Sequence, residues 1–133
     1  MSGNIERVER IYAAFGRGDV QFILDQIGDD ASWGIDSVAA AEVPFYGIVR
    51  GKAAIAKFFG AIAESTRITT FEPHDFVAGG EHVFAYVRVQ GTVTSTGKQV
   101  TTLDLHHWKF ADGKVARWRG YEDTAATRDG HRK

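Results

Sequence analysis

The first third of the chain carries apolar residues at helical spacing. They recur every three or four positions with charged residues between them, which predicts an amphipathic helix. Asn4 stands where an N-cap belongs, and Gly16-Arg17-Gly18 follows as the expected end of the helix. The apolar stripe consists of Ile5, Val8, Ile11 and Phe15.

Two further helices are predicted before the pattern changes at Ser65. Asp19 can cap a short second helix, and Gly51 opens a third. Between them, residues 31–35 predict a short strand, and residues 36–50 have no clear period. A loop of that length in a compact domain is often a binding loop. The apolar positions of the two helices are Val20, Ile23, Leu24 and Ile27, then Ile55, Phe58, Phe59 and Ile62.

The second half of the chain has the composition and punctuation of β-strands. Four segments rich in Val, Thr and aromatic residues are separated by short glycine-containing turns, which predicts an antiparallel meander. The segments are residues 67–78, 81–93, 98–110 and 114–122. Helices followed by a meander predict an α+β fold, with N-terminal helices packed on a curved antiparallel sheet that encloses a pocket. We expect residues 1–133 to form one domain with a core of about residues 5–123, and the polar residues 124–133 to be a frayed tail.

Charge and composition narrow the classes of function. The 133 residues include 44% hydrophobic residues, have a net charge of −1 and contain no cysteine. This balance argues against a nucleic-acid partner and against a polybasic membrane-surface protein. The absence of cysteine excludes disulfides, thiolate catalysis and cysteine zinc sites. The sequence shows no apolar leader and no apolar segment long enough to span a membrane, so we expect a cytoplasmic protein. It also shows no spacing of residues typical of metal ligands.

The third long strand carries a titratable pair among aromatic residues. Because side chains alternate along a strand, Asp104, His106, Trp108 and Phe110 share one face. If that face lines the pocket, an imidazole and a carboxylate lie in apolar surroundings, where His106 would move a proton or stabilise an oxyanion and Asp104 would set its tautomer. The same spacing also fits a hydrogen-bonded core histidine with a structural carboxylate partner.

Other residues are candidates for the pocket wall. Trp118 supplies contact area on the last strand, Gly120 leaves room beside it, and Glu122 is expected near the rim. Trp118, Trp33 and Tyr46 could equally be ordinary core. The remaining candidates for substrate binding are Tyr12, Trp33, Ile35, Tyr46 and Trp108.

The opposite face of the sheet predicts a homodimer. We assign Val83, Ala85, Val87 and Val89 to the interior, which turns their alternate neighbours outward. The inverted assignment, with these residues outside, is the alternative. A monomer rarely exposes a broad apolar patch, and two-fold pairing is the commonest way to bury one. The outward set consists of Phe84, Tyr86, Arg88 and Gln90, with Leu103, Leu105 and Tyr121.

In these features the chain resembles SnoaL-like proteins of the ketosteroid-isomerase-like group, within the nuclear transport factor two-like superfamily, over about residues 5–125. The segments that carry the resemblance are Tyr12–Asp19, Asp30–Trp33, Pro44–Gly47, Arg50-Gly51, Phe71-Glu72-Pro73, His106, Asp112–Val115 and Arg117-Trp118. The resemblance implies a cone-shaped α+β barrel with a ligand pocket at its open end. The superfamily contains isomerases, cyclases, hydrolases, dehydratases and non-enzymatic binding domains, so fold alone does not choose the function.

Residue matching within the resemblance shapes the functional expectation. The base, tyrosine and oxyanion-binding positions of ketosteroid isomerases fall on Ile35, Ile11 and His106, three departures that argue against steroid isomerisation. SnoaL-type polyketide cyclases use a histidine and an aspartate, residue types that His106 and Asp104 supply. We therefore expect a cofactor-independent acid–base enzyme of isomerase or cyclase type that acts on a small hydrophobic carbonyl compound. The alternative is a binding domain with the same pocket and no turnover.

Overall fold

A computed structural model describes residues 2–133 as four helices and six strands. The helices are α1 (Ser2–Gly16), α2 (Val20–Asp25), α3 (Lys52–Ser65) and α4 (Thr124–His131). The strands are β1 (Ile27–Ile35), β2 (Gly47–Arg50), β3 (Thr66–Gly79), β4 (His82–Val93), β5 (Gln99–Ala111) and β6 (Lys114–Tyr121). The predicted α+β fold is confirmed. None of the helices in the described range is long and apolar enough to span a membrane.

The six strands form one curved, unclosed sheet in the order β2-β1-β6-β5-β4-β3. The hairpins β3–β4, β4–β5 and β5–β6 are antiparallel, which confirms the predicted meander, whereas β1 joins the other side of β6 in parallel. Register aligns Trp118 of β6 with Trp33 of β1 on one side and with Trp108 of β5 on the other. Tryptophans from three neighbouring strands therefore lie side by side on the same face of the sheet.

The helices cover the concave face of this sheet. Val8 of α1, Ile23 of α2 and Ile55 of α3 are fully buried, as the predicted stripes require. From the sheet, Val83, Ala85 and Val87 are also fully buried, so the interior assignment of β4 is correct and the inverted one is wrong. The core lies between the two layers, because each layer has only one apolar face to bury.

Local chemistry explains most helix and strand ends. Asp19 caps α2 as predicted, since its carboxylate accepts a hydrogen bond from the backbone N–H of Phe22 at 3.0 Å. Asn4 is not an N-cap, because α1 already begins at Ser2; its side chain instead accepts a 2.6 Å hydrogen bond from Arg7. Ile27, expected in the second helix, begins β1.

The structure departs from the sequence expectation at two irregular segments. Residues 36–50, expected to be an aperiodic loop, end in the short edge strand β2. Residues 124–133, expected to fray, contain α4. Asp123 caps this helix by accepting from the N–H of Ala126 at 3.0 Å, and Thr127 is 95% buried against the rest of the fold. The polar composition of the segment concealed a capped helix that packs through a few small residues.

Candidate functional site

A cavity of about 130 Å³ lies between the helices and the concave face of the sheet. Most of its wall is aromatic or aliphatic, with contributions from all four helices and five of the six strands. For scale, an apolar cavity of roughly 150 Å³ admits benzene. The polar side chains in the wall, apart from the tryptophans and Tyr12, are Thr66, Thr102, Asp104, His106, Glu122, Thr127 and His131.

The structure places all but one of the predicted site residues in this wall. Tyr46 does not line the cavity; it lies behind Glu122. The predicted residues that do line it are Tyr12, Trp33, Ile35, Asp104, His106, Trp108, Trp118 and Glu122. They converge because the register of β1, β6 and β5 stacks their inward faces, and because α1 lies across them.

His106 is oriented by a hydrogen-bond chain from α1. The indole N–H of Trp108 donates to the hydroxyl oxygen of Tyr12 at 3.1 Å, and that hydroxyl lies 2.8 Å from Nδ1 of His106. Burial raises the pKa of Tyr12 well above its ordinary value, so the hydroxyl keeps its proton and can donate it to Nδ1. Neutral His106 then carries its own proton on Nε2.

Asp104 lies beside His106 but does not set its tautomer. Its Oδ2 is 3.9 Å from Nε2 of His106, which is beyond hydrogen-bond distance. The prediction that Asp104 orients the imidazole is therefore wrong, because Tyr12 occupies that role from α1. Oδ1 of Asp104 has no hydrogen-bond partner among residues 2–133, although the side chain is more than nine-tenths buried. A buried carboxylate oxygen without a partner is costly, which marks the position as one that a ligand or water can satisfy.

Glu122 forms a second polar centre just beyond the end of β6. Its Oε2 accepts hydrogen bonds from the hydroxyls of Tyr46 at 2.5 Å and Thr127 at 2.6 Å. Burial, assisted by the negative charge of Asp104, raises the pKa of Glu122 to about 7, and the two hydrogen bonds only partly offset this rise. Burial and the same glutamate raise the pKa of Tyr46, so its hydroxyl stays protonated as the donor.

The three tryptophans line the cavity and pack against one another. The ring centroids of Trp33 and Trp118 are 4.7 Å apart, and those of Trp33 and Trp108 are 5.6 Å apart. Within the described part of the chain, the indole nitrogens of Trp33 and Trp118 find no hydrogen-bond partner. Gly120 makes this packing possible, since a Cβ there would lie 2.8 Å from the Trp118 ring.

Sequence reasoning missed the contribution of α4. Thr127 and His131 line the cavity from this helix, and Phe45 joins them from the loop before β2. The sequence did contain a signal for this helix. Asp123 is a possible N-cap, no proline follows it, and Thr127 and His131 have the four-residue spacing of one helical face. Across the described ranges, no group of three or more histidine or acidic side chains is arranged to hold a metal ion.

Comparison with known proteins places this geometry in a family. Residues 8–118 match the family model described as the SnoaL-like domain. No curated protein matches the chain. An NTF2-like protein of Burkholderia xenovorans LB400 is 31% identical, with coverage of 99% of this chain and 98% of that chain and a TM-score of 0.89.

Two further solved structures have a similar fold. An NTF2-like protein of unknown function from Burkholderia pseudomallei K96243 is 22% identical, with full coverage of both chains and a TM-score of 0.90. TerC, co-crystallised with polyporic acid, is 25% identical, with 98% coverage of each chain and a TM-score of 0.86.

Proposed function

Because the chain belongs to the SnoaL-like domain family, we propose that it is a cofactor-independent acid–base catalyst acting on a small, largely apolar carbonyl compound. One observation carries the proposal. Asp104 and His106 line the same apolar cavity, with Oδ1 of Asp104 unpartnered and Nε2 of His106 beyond hydrogen-bond distance of the carboxylate. TerC, a similar structure, was crystallised with the small molecule polyporic acid, which supports a small-molecule ligand here.

We propose opposite roles for the two residues. His106 presents an N–H at Nε2, which suits a hydrogen bond to a carbonyl oxygen that becomes negative. Asp104 takes a proton from the carbon next to that carbonyl, and the electron pair of the C–H bond moves to the oxygen as an enolate. A bound compound displaces water from the largely apolar cavity, so the N–H donor then acts in a medium of low dielectric constant where it stabilises charge more strongly.

Glu122 supplies the returning proton. With a pKa of about 7, a substantial fraction of this side chain is protonated at neutral pH, unlike an ordinary glutamate. When a carbon–carbon double bond is conjugated with the enolate, delivery of the proton to the far end of that double bond completes an isomerisation. Delivery to the alkoxide formed when the enolate carbon attacks a second carbonyl completes an aldol cyclisation. In both cases Asp104 then releases its proton to water, and Glu122 takes one up, which restores the starting state. The two carboxyl groups thus divide into base and acid because their surroundings differ.

Exchange of α-protons tests this proposal without knowledge of the natural substrate. Acetophenone and 1-indanone are incubated with the protein in D₂O, and loss of the α-proton signals is followed by NMR. The expected result is exchange faster than in buffer, which Asp104→Asn reduces by about 10²- to 10⁴-fold. Asp29→Asn is the matched control, because the side chain of Asp29 is 95% exposed on the surface.

A binding domain without turnover is the second candidate. The unpartnered indole N–H groups of Trp33 and Trp118, in a largely apolar cavity, favour it. Ketones that bind the wild-type protein, as seen by ligand-observed NMR, and yet exchange at the buffer rate would favour this function and contradict catalysis.

The proposal includes a homodimer that pairs through the convex face of the sheet. Phe84, Tyr86, Leu103 and Tyr121 are each at least 38% exposed there, a density of large apolar side chains that a monomer seldom leaves in water. Light scattering is expected to give twice the chain mass of 14.6 kDa, and Leu103→Lys is expected to shift the protein toward the monomer. A wild-type mass of one chain at micromolar concentration contradicts the dimer.

A further inference from the structure

The carboxy-terminal helix α4 brings a second histidine to the cavity, opposite in hydrogen-bonding character to His106. Three contacts hold the helix in place. Gly130 packs so closely on β5 that a Cβ would lie 2.3 Å from Cγ2 of Val100, and its carbonyl accepts a 2.6 Å hydrogen bond from Thr96. The guanidinium of Arg132 makes hydrogen bonds of 2.7 and 3.1 Å to the two carboxylate oxygens of Glu42.

The backbone of α4 fixes the tautomer of His131. Nδ1 of the ring lies 2.9 Å from the carbonyl oxygen of Thr127, one helical turn earlier. A carbonyl oxygen can only accept, so Nδ1 must carry the proton and donate. Neutral His131 therefore has a lone pair, and no proton, on Nε2.

That lone pair lacks a partner. Nε2 of His131 is buried, and none of the described residues donates a hydrogen bond to it, although the residue lines the cavity near Glu122 and Thr127. Phe45 packs edge-on against the ring, with centroids 6.1 Å apart, and helps to hold its orientation. A donor that enters the cavity beside the ring would satisfy this acceptor.

We infer that His131 is a specificity-determining residue whose Nε2 accepts a hydrogen bond from a hydroxyl group of the bound compound. The inference rests on the proposed small-molecule function of the same cavity and extends it. His106 provides a donor for a carbonyl oxygen, whereas His131 provides an acceptor for a hydroxyl or enol. An apolar wall alone would favour a hydrocarbon over a hydroxylated compound of the same shape, because the hydroxyl group loses its hydrogen bonds to water on binding. The acceptor on His131 replaces one of those bonds, so the cavity can select the hydroxylated compound.

A matched pair of probes isolates this hydrogen bond. p-Cresol and p-xylene differ by a hydroxyl in place of a methyl group, and their dissociation constants are measured by calorimetry or ligand-observed NMR. In the wild-type protein, p-cresol is expected to bind at least as tightly as p-xylene. His131→Phe preserves an aromatic ring but removes the acceptor, so it is expected to weaken p-cresol about tenfold and to leave p-xylene within about twofold.

Two controls sharpen the result. His131→Gln places an amide oxygen near the position of Nε2 and is expected to recover part of the p-cresol affinity. His82→Phe, a change of the same type on the far side of the sheet, is expected to alter neither probe. An unchanged ratio of the two affinities in His131→Phe overturns the inference, as does failure of both probes to bind the wild-type protein.

A measurement on the wild-type protein covers the case in which His131→Phe does not fold. Nitrogen-15 NMR of the imidazoles distinguishes a protonated from an unprotonated ring nitrogen. The expected spectrum has Nδ1 of His131 protonated and Nε2 unprotonated, with Nε2 shifting on addition of p-cresol but not p-xylene. The opposite tautomer, or no selective shift, overturns the inference.

Failure of this inference can be distinguished from failure of the proposed catalysis. If α-proton exchange depends on Asp104 but the preference for p-cresol does not depend on His131, the inference is wrong and the proposed catalysis stands. If the preference for p-cresol depends on His131 but no α-proton exchange occurs, the inference stands and the proposed catalysis is wrong.

Discussion

The two ends of the cavity are built by different means. At one end, Tyr12, His106 and Trp108 form a continuous hydrogen-bond chain on long elements, the helix α1 and the central strand β5. At the other, Glu122 and His131 depend on the eight-residue helix α4 and on an irregular loop. The first end is built on a helix and a strand that have neighbours on both sides in the fold. The second rests on a few contacts, so we expect it to open locally at a lower free-energy cost than the first.

The largest expected effect is at the end built on α1 and β5. His106→Ala removes the Nε2–H donor, so turnover of an exchangeable ketone is expected to fall by about 10²- to 10³-fold. The free energy of unfolding is expected to fall by about 1 kcal/mol or less, because the cavity can supply water to Tyr12. Denaturant titration checks this second part. A stability loss of about 2–4 kcal/mol would show that His106 is a structural core residue and would remove the distinction between the two ends.

The pH dependence of stability reports on the other end. Burial raises the pKa of Glu122 to about 7 in the folded protein, whereas an unfolded glutamate titrates near 4.5. Between these values the folded state holds more protons than the unfolded state, so this residue makes stability fall as the pH rises from about 4.5 to 7. The loss amounts to as much as about 3 kcal/mol.

The measurement for Glu122 is a comparison of two pH profiles. Wild type and Glu122→Gln are unfolded by denaturant at pH 5 and pH 8. The wild type is expected to lose stability between these pH values relative to the variant, which carries no titrating group at this position. Parallel profiles would indicate that Glu122 has an ordinary pKa and that the α4 end contains no acid near neutrality.

A smaller effect is expected when α4 is displaced. Gly130→Ala places a methyl group against Val100 and is expected to cost about 1–3 kcal/mol in unfolding free energy and to weaken p-cresol binding. Gly60→Ala is the matched control. It adds the same methyl group to the exposed side of α3, where nothing lies within 4 Å, and is expected to stabilise the protein by about 0.5–1 kcal/mol. Equal behaviour of the two variants would mean that close packing does not hold α4.

The smallest expected effect concerns the ion pair that joins α4 to the loop. Glu42 and Arg132 are exposed, and their hydrogen bonds lower the pKa of the carboxyl group and raise that of the guanidinium. Exposed pairs contribute little because water and salt screen them, so Glu42→Gln is expected to leave the melting temperature unchanged within error. A clear loss of stability or of p-cresol binding would show that this pair, rather than the packing of Gly130, fixes the helix.

The difference between the two ends also explains how far sequence reasoning could reach. Alternation along residues 98–110 placed Asp104, His106 and Trp108 on one face, and the structure has them in one wall. Tyr12 was expected only as a candidate for the cavity wall and is at the centre of its hydrogen-bond chain. By contrast, α4 was expected to be a frayed tail, because its eight residues have too few apolar positions to show a period.

Local periodicity is a property of the sequence itself, so the chain alone predicted its first three helices, its hairpins and which residues of β5 share a face. The tertiary structure decided which nitrogen of His106 faces the cavity, because the hydroxyl that settles it comes from Tyr12, 94 positions earlier. It also decided the raised pKa of Glu122, which depends on burial beneath Tyr46 and Thr127 and on the charge of Asp104. Hydrogen bonds and desolvation act over a few ångströms in space, and no spacing along the chain records which distant side chains will meet at that range.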